Sequence, residues 1–219
     1  MPSDSDFAPQ GSPEWHAERL GHVTASESEV LMKTPKTKAG KARGWTDGAQ
    51  SYLLTLLGEL LTGLPVIPRE NDAMRWGHDQ EPEAVKVYQE WTGRKVQMAG
   101  FMKHQTERLI GGSPDGLVDD DGGLEIKCPW TTRVHLEYLL GGDLPKEHVA
   151  QVQSLMWITG RQWWDFMSFD PRIPAGASGW LFFVHVERDE DYISELSTRV
   201  LAFRDALDAA HKQLAEMNP

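Results

Sequence analysis

The sequence predicts an α/β or α+β domain, with strands in the middle of the chain and helices on either side. Three features carry that prediction. Leucine- and tryptophan-rich segments with helical spacing fill residues 51–92, short alternating segments punctuated by glycine follow from Lys95 to Lys127, and the aromatic runs WWDFMSFD and GWLFFVHVER precede a last amphipathic stretch over 189–216. At 219 residues, 40% of them hydrophobic, the chain can bury one sizeable core. We expect one domain over residues 14–219, behind a disordered leader at 1–13 rich in Ser, Pro and Asp.

Taken in order, WHAERLGHVTASESEVLM reads as a short helix, a turn at Gly21, and a second helix capped by Thr24 or Ser26 with acidic residues in its first turn. KTPKTKAGKARG follows as a basic loop punctuated by proline and glycine. In SYLLTLLGELLTG, Leu53, Leu56, Leu57, Leu60 and Leu61 line one face of a helix that Gly63 closes. A longer helix over Ala73 to Thr92 carries Trp76, Val85, Val87, Tyr88 and Trp91 and ends at Gly93. KVQMAGFMKH and the segments flanking Ser113 and Gly123 suggest an antiparallel run. Helices over 131–140 and 145–159, the second opened by Pro145, lead to the two aromatic strands and the final helix.

Composition narrows the function. A net charge of −11 argues against a surface coated for nonspecific nucleic-acid binding, but leaves room for a local basic groove. The chain has no run of eighteen apolar residues, and the acidic, proline-bearing start lacks the regions of a signal peptide, so a soluble, cytoplasmic protein without a membrane partner is expected. The single Cys128 cannot form an internal disulfide and reads as a small core residue. Trp15, Trp76, Trp157, Trp163 and Trp164 read as core or subunit contacts.

The chemistry concentrates in GGSPDGLVDDDGGLEIKCPW, residues 111–130. Glu125 and Lys127 are two apart, so a strand points both to one face, and Asp115 in the turn Ser113-Pro114-Asp115-Gly116 can reach that face from the neighbouring strand. Two carboxylates at one point repel unless a cation sits between them. All-oxygen ligation suits Mg²⁺ or Mn²⁺ better than zinc. Lys127 beside such a cation can hydrogen-bond a water and stabilise charge on a phosphoryl group, the logic of metal-dependent phosphodiester hydrolysis. A plainer reading stands beside it: Asp115 makes the turn, and Glu125 and Lys127 form an exposed cross-strand pair.

These residues resemble the phage lambda exonuclease family, the viral-recombinase branch of the PD-(D/E)XK nuclease superfamily. Pro114-Asp115, nine intervening residues and Glu125-Ile126-Lys127 match the superfamily motif, and RLGHVTASE, WGHDQEPEA, SPDGL, LEIKCPW, HVAQVQSLMW, FDPR and VERDE carry the likeness across most of the chain in the same order. The resemblance implies a restriction-endonuclease-like core, a central mixed sheet flanked by helices. It implies that Asp115, Glu125 and the Ile126 carbonyl hold metal, that Lys127 activates water, and that Glu81 and Gln151, rather than Gln153, complete the site. It also implies a 5′-phosphate pocket at Arg19, Ser26 and Ser113. In the basic loop, Lys33, Lys36, Lys38, Lys41 and Arg43 gather within eleven residues as a patch able to track DNA backbone. Met74 matches an apolar wedge that could separate the terminal base pair, with burial against Trp76 as the alternative. His148 departs from the family's pattern, standing where an aromatic is expected, and the segment from Lys127 to Gln151 is slightly short.

The activity so implied is a Mg²⁺-dependent exonuclease, with Mn²⁺ as a substitute, that degrades one strand of linear duplex DNA from its 5′ end and leaves 3′ overhangs for recombination. A two-metal, in-line displacement is the expected mechanism. The implied setting is a bacteriophage enzyme in its bacterial host's cytoplasm, a homotrimeric ring on DNA ends that works with a single-strand annealing protein. The rivals are a restriction-like endonuclease or nickase on the same core, an inactive DNA-end-binding module, and an unrelated acidic domain whose charge pairs are structural.

Overall fold

The computed structural model describes residues 7–217. The chain runs α1 (Pro13–Arg19), β1 (Val23–Thr24), a 3-10 turn at Ala25–Glu27, α2 (Ser28–Met32), α3 (Lys38–Arg43), α4 (Asp47–Thr62) and α5 (Asp72–Thr92). It continues through β2 (Val96–Gln97), β3 (Met102–Lys103), β4 (Ile110–Gly112), β5 (Gly116–Val118) and β6 (Gly122–Lys127), then α6 (Thr132–Gly141), α7 (Lys146–Thr159), β7 (Trp163–Phe169), β8 (Leu181–Glu187) and α8 (Glu190–Met217).

A five-stranded sheet in the order β2-β5-β6-β7-β8 forms the centre. β5 and β6 are an antiparallel hairpin, whereas β6 and β7 are parallel, so the chain must cross over between them, and α6 and α7 make that crossing. β7 and β8 return antiparallel, which makes the sheet mixed. Gly122 and Gly123 stand opposite Trp163 and Trp164, and the two indole rings fill the space that a Cβ would need at either glycine. Any side chain there would push β6 away from β7. A smaller sheet, β1-β4-β3, adds two-residue pairings around Ile110–Gly112.

The core has two parts. In one, Leu53, Leu56 and Leu57 of α4 pack with Leu155 and Met156 of α7, Val200 and Phe203 of α8, and Trp164. In the other, Ala84, Val85 and Tyr88 of α5 cover Val118, Leu124, Ile126 and Met167. Leu124 and Ile126 are claimed by the α5 core, which leaves the other face of β6 to Glu125 and Lys127.

Several expectations are corrected. Leu61 is 53% exposed, so the apolar stripe of α4 ends at Leu60. Thr24 sits at the start of the 3-10 turn, but neither it nor Ser26 caps a helix: Thr24 Oγ1 lies 3.2 Å from Ser26 Oγ, and α2 follows Glu27 without a side-chain cap. The basic loop contains a helix, α3, because Thr37 Oγ1 accepts the Gly40 N–H at 3.0 Å and Gly44, at φ 91°, stops it. Of the expected leader, residues 1–6 lie outside those described; Phe7 packs at Gly100, Gln10 Nε2 donates to the Pro114 carbonyl at 3.1 Å, and α1 begins at Pro13. Among the described residues, no helix is long and apolar enough to cross a membrane.

Candidate active site

The β5–β6 hairpin builds the centre of the site. Asp115 precedes β5, and its Oδ2 accepts the Ile126 N–H at 2.6 Å, which ties the turn to the opposite strand. Glu125, in the middle of β6, is 1% exposed, which removes the plainer reading of an exposed cross-strand pair. Its Oε1 accepts from Lys127 Nζ and, at 2.6 Å, from Gln151 Nε2 on α7. Gln153 faces elsewhere, donating to the Glu187 carbonyl at 3.0 Å and accepting the Asp189 N–H at 3.0 Å.

The charges are strongly coupled. Burial, then Glu125, pushes the half-buried Asp115 carboxyl well above its ordinary range, and Lys127 opposes this only in part. Burial would lower Lys127, but Glu125 and Asp115 outweigh it and raise the ammonium above the usual lysine value. Lys127 therefore stays a cation. Glu81, half-buried on α5, is raised first by burial; His78 pulls it down and Glu125 pushes it up.

Glu125 Oε2 is buried and has no hydrogen-bond partner. A buried carboxylate oxygen without a donor is costly, and a bound ion relieves that cost. Among the described residues, no three His, Cys, Asp or Glu side chains form a ready-made ligand cage. The two carboxylates of Asp115 and Glu125 are nonetheless of the kind that suits Mg²⁺, which binds through one or two carboxylates and keeps its other positions for water and substrate phosphate.

A pocket of about 200 Å³ joins this centre to α1 and the 3-10 turn, lined by Arg19, Ser26, Ser113, Asp115, Glu125, Lys127 and Gln151. The guanidinium of Arg19 lies over the Trp15 ring, 4.2 Å from its centroid, and Trp15 Nε1 donates to Ser113 Oγ at 2.9 Å. Trp15 thus holds two walls of the pocket at once. It is also buried, as expected of a core residue, and its place four residues before Arg19 on one helix is the signal that ties it to the pocket. Gln10, which also lines the pocket, carried no such signal.

Other candidates lie apart. Lys36, Lys38 and Lys41 are exposed on and just before α3, while Lys33 pairs with Glu29 at 3.0 Å and Arg43 with Asp47. None lines the pocket. Met74 is 47% exposed in the first turn of α5 and so is not buried against Trp76. Cys128 is buried, and its thiol is pushed up to about 12, chiefly by that burial. His148 fills the aromatic position it interrupts, stacking on Phe166 at 5.0 Å with Nε2 3.1 Å from the Tyr138 hydroxyl.

This hairpin, its carboxylates and its lysine on a mixed sheet define a PD-(D/E)XK-type nuclease core. Residues 14–162 match the YqaJ-like viral recombinase domain, and the chain belongs to that family. It is 38% identical to an alkaline exonuclease, LHK-Exo, from Laribacter hongkongensis, with TM-score 0.82 over 94% of this chain and 97% of that one. The same enzyme in complex with dAMP superposes with TM-score 0.83. A phage-related exonuclease of Haemophilus somnus, 19% identical with TM-score 0.65, shares the fold. A protein of Acanthamoeba polyphaga mimivirus is 26% identical over 170 residues, which is 72% of this chain but only 28% of that protein's length.

Proposed function

We propose that the protein is a Mg²⁺-dependent exodeoxyribonuclease that degrades one strand of linear duplex DNA from the 5′ end, leaving 3′ single strands for recombination by annealing. The observation that carries this reading is the shared pocket: Arg19, Ser26 and Ser113 line the same cavity as Asp115, Glu125 and Lys127. A guanidinium and two hydroxyls beside paired carboxylates suit a terminal phosphate held next to a scissile bond. LHK-Exo has been captured with dAMP, a deoxynucleoside monophosphate, which supports a pocket for a 5′-nucleotide.

In this proposal Asp115, Glu125 and the Ile126 carbonyl hold the cation. When bound, it supplies Lewis-acid stabilisation of the phosphoryl oxygens and a more acidic water. Lys127 orients the attacking water and balances charge building on the phosphate, Gln151 fixes Glu125, and Glu81 supports the metal site or a water on it. Lys36, Lys38, Lys41 and Arg43 track the duplex backbone, and the exposed Met74 acts as the wedge. Residues 14–219 act as one nuclease domain, assembled as a homotrimeric ring with an annealing protein as partner in the host cytoplasm.

Uniformly labelled linear and circular duplexes, incubated with and without Mg²⁺, test the proposal. Loss of label from the linear duplex alone, only with metal, is expected. Cutting of the closed circle would favour the endonuclease reading, and absence of cleavage from both would favour an end-binding module.

A further inference from the structure

Lys127 has a second neighbourhood. A second cavity, of about 210 Å³, is lined by Lys127, Cys128, Pro129, Trp130, Val134 and Tyr138, so Lys127 borders both it and the phosphate pocket. Trp130 is 50% exposed there, so its side chain is open to a ligand. Its backbone, by contrast, is tightly held. Arg172 Nη1 donates to the Trp130 carbonyl at 2.8 Å and Nη2 to the Pro129 carbonyl at 3.0 Å. Arg172 is itself fixed through two bonds to Asp170, which is fully buried, at 2.7 and 2.9 Å. The guanidinium also lies 4.9 Å from the centroid of the Trp76 ring, and Trp76 meets Trp130 edge to face at 5.8 Å. The FDPR segment, whose Asp and Arg have no part in the cleavage chemistry, thus builds a rigid mount for one half-exposed indole directly after the catalytic strand.

We propose that Trp130 is a stacking platform for the base of the nucleotide just 3′ of the scissile phosphodiester. The inference rests on the nuclease reading above and extends it. If the terminal 5′-phosphate occupies the Arg19 wall and the scissile phosphate faces Asp115 and Glu125, the strand must leave past Lys127. The second cavity that Lys127 borders is where the next nucleoside arrives, with the ammonium beside its phosphate and an indole face beside its base. Base–aromatic stacking tolerates every base, as an enzyme that digests DNA without regard to sequence requires. A pre-held ring loses little freedom on binding, which is what the Asp170–Arg172 clamp provides.

The test compares the wild type, Trp130→Ala and Trp130→Phe on 5′-phosphorylated duplexes carrying an abasic residue at either the second or the sixth nucleotide of the digested strand. Affinity is measured without divalent metal, and single-turnover rate with it. For the wild type, an abasic second nucleotide should weaken binding roughly ten-fold, about 1.4 kcal/mol, while an abasic sixth nucleotide has no such effect. Trp130→Ala should lose a similar factor on intact DNA and nothing further on the abasic duplex, and Trp130→Phe should restore sensitivity. An abasic penalty of equal size in the wild type and Trp130→Ala would overturn the platform, as would a wild type indifferent to the second base. The metal-free binding comparison decides this inference even if no duplex is cleaved, an outcome that would instead remove the nuclease reading.

Discussion

Two acids buried on adjacent central strands have opposite surroundings. Asp165 of β7 is fully buried, and both its oxygens are occupied: Tyr88 Oη at 2.6 Å and Arg94 Nη1 at 2.9 Å meet Oδ2, and His185 Nδ1 lies 2.6 Å from Oδ1. Glu125 of β6, 1% exposed, takes Lys127 and Gln151 on one oxygen and nothing on the other. A carboxylate with partners on both oxygens, fully buried, is a structural element. One left half-matched, beside a second carboxylate and a pocket, is set up to complete its coordination with something from solution.

The largest effect should come from the half-matched centre. Lys127→Ala is expected to lower single-turnover cleavage on the order of 10³-fold or more while leaving DNA affinity nearly intact, since the ammonium acts at the reacting phosphate. Near-normal turnover with intact binding would remove Lys127 from the chemistry. Asp165→Ala should do the reverse, affecting folding rather than activity. It strands the buried Tyr88 hydroxyl, so denaturant melts should show a loss of about 2–4 kcal/mol. This is below the full cost of a buried pair because Arg94 and His185 are 37% and 38% exposed and partly screened. Folded Asp165→Ala should still cleave DNA.

Arg19→Ala sharpens the comparison at the pocket's other end. A 5′-phosphorylated duplex should be degraded faster than its 5′-hydroxyl counterpart, and the substitution should narrow that difference by roughly ten- to a hundred-fold, the worth of a charge-assisted hydrogen bond of about 1.5–3 kcal/mol. Equal wild-type rates on the two ends would remove the phosphate pocket. The smallest effect concerns His148, whose pKa burial and then Lys127 lower from 6.5 to about 4. The folded protein keeps this ring neutral while the unfolded chain protonates it, so stability is intact above about pH 6.5 and falls as pH drops toward 4. His148→Phe abolishes that proton linkage. Melts at pH 7.5 and 5 should show a smaller acid-side loss in the variant, and parallel losses would contradict the assignment.

What the sequence made legible was local. The leucines of α4 up to Leu60, the glycine that ends it, and the spacing of Asp115, Glu125 and Lys127 all follow from periodicity or from residues close in the chain. The half-matched state of Glu125 was not legible, since it depends on Gln151 arriving from a helix 26 residues later and on what does not arrive at Oε2. Nor was the link from Trp15 to Ser113, which spans 98 residues. β1 escaped notice because a two-residue strand has no period, and its partner Ile110–Gly111 is far along the chain. In the basic segment, proline and glycine are stronger signals than the Thr37 cap and mask a helix of only one and a half turns.

Whether Glu125 is incomplete without a cation decides what this hairpin is for. Calorimetric titration of Mg²⁺ into the wild type, Asp115→Asn, Glu125→Gln and Asp165→Asn measures this. The wild type and Asp165→Asn should bind Mg²⁺ with the same affinity, while Asp115→Asn and Glu125→Gln lose the binding heat. Unchanged Mg²⁺ affinity in Glu125→Gln would show that the unmatched oxygen is not a ligand and would contradict the reading of this hairpin as a metal-dependent nuclease centre.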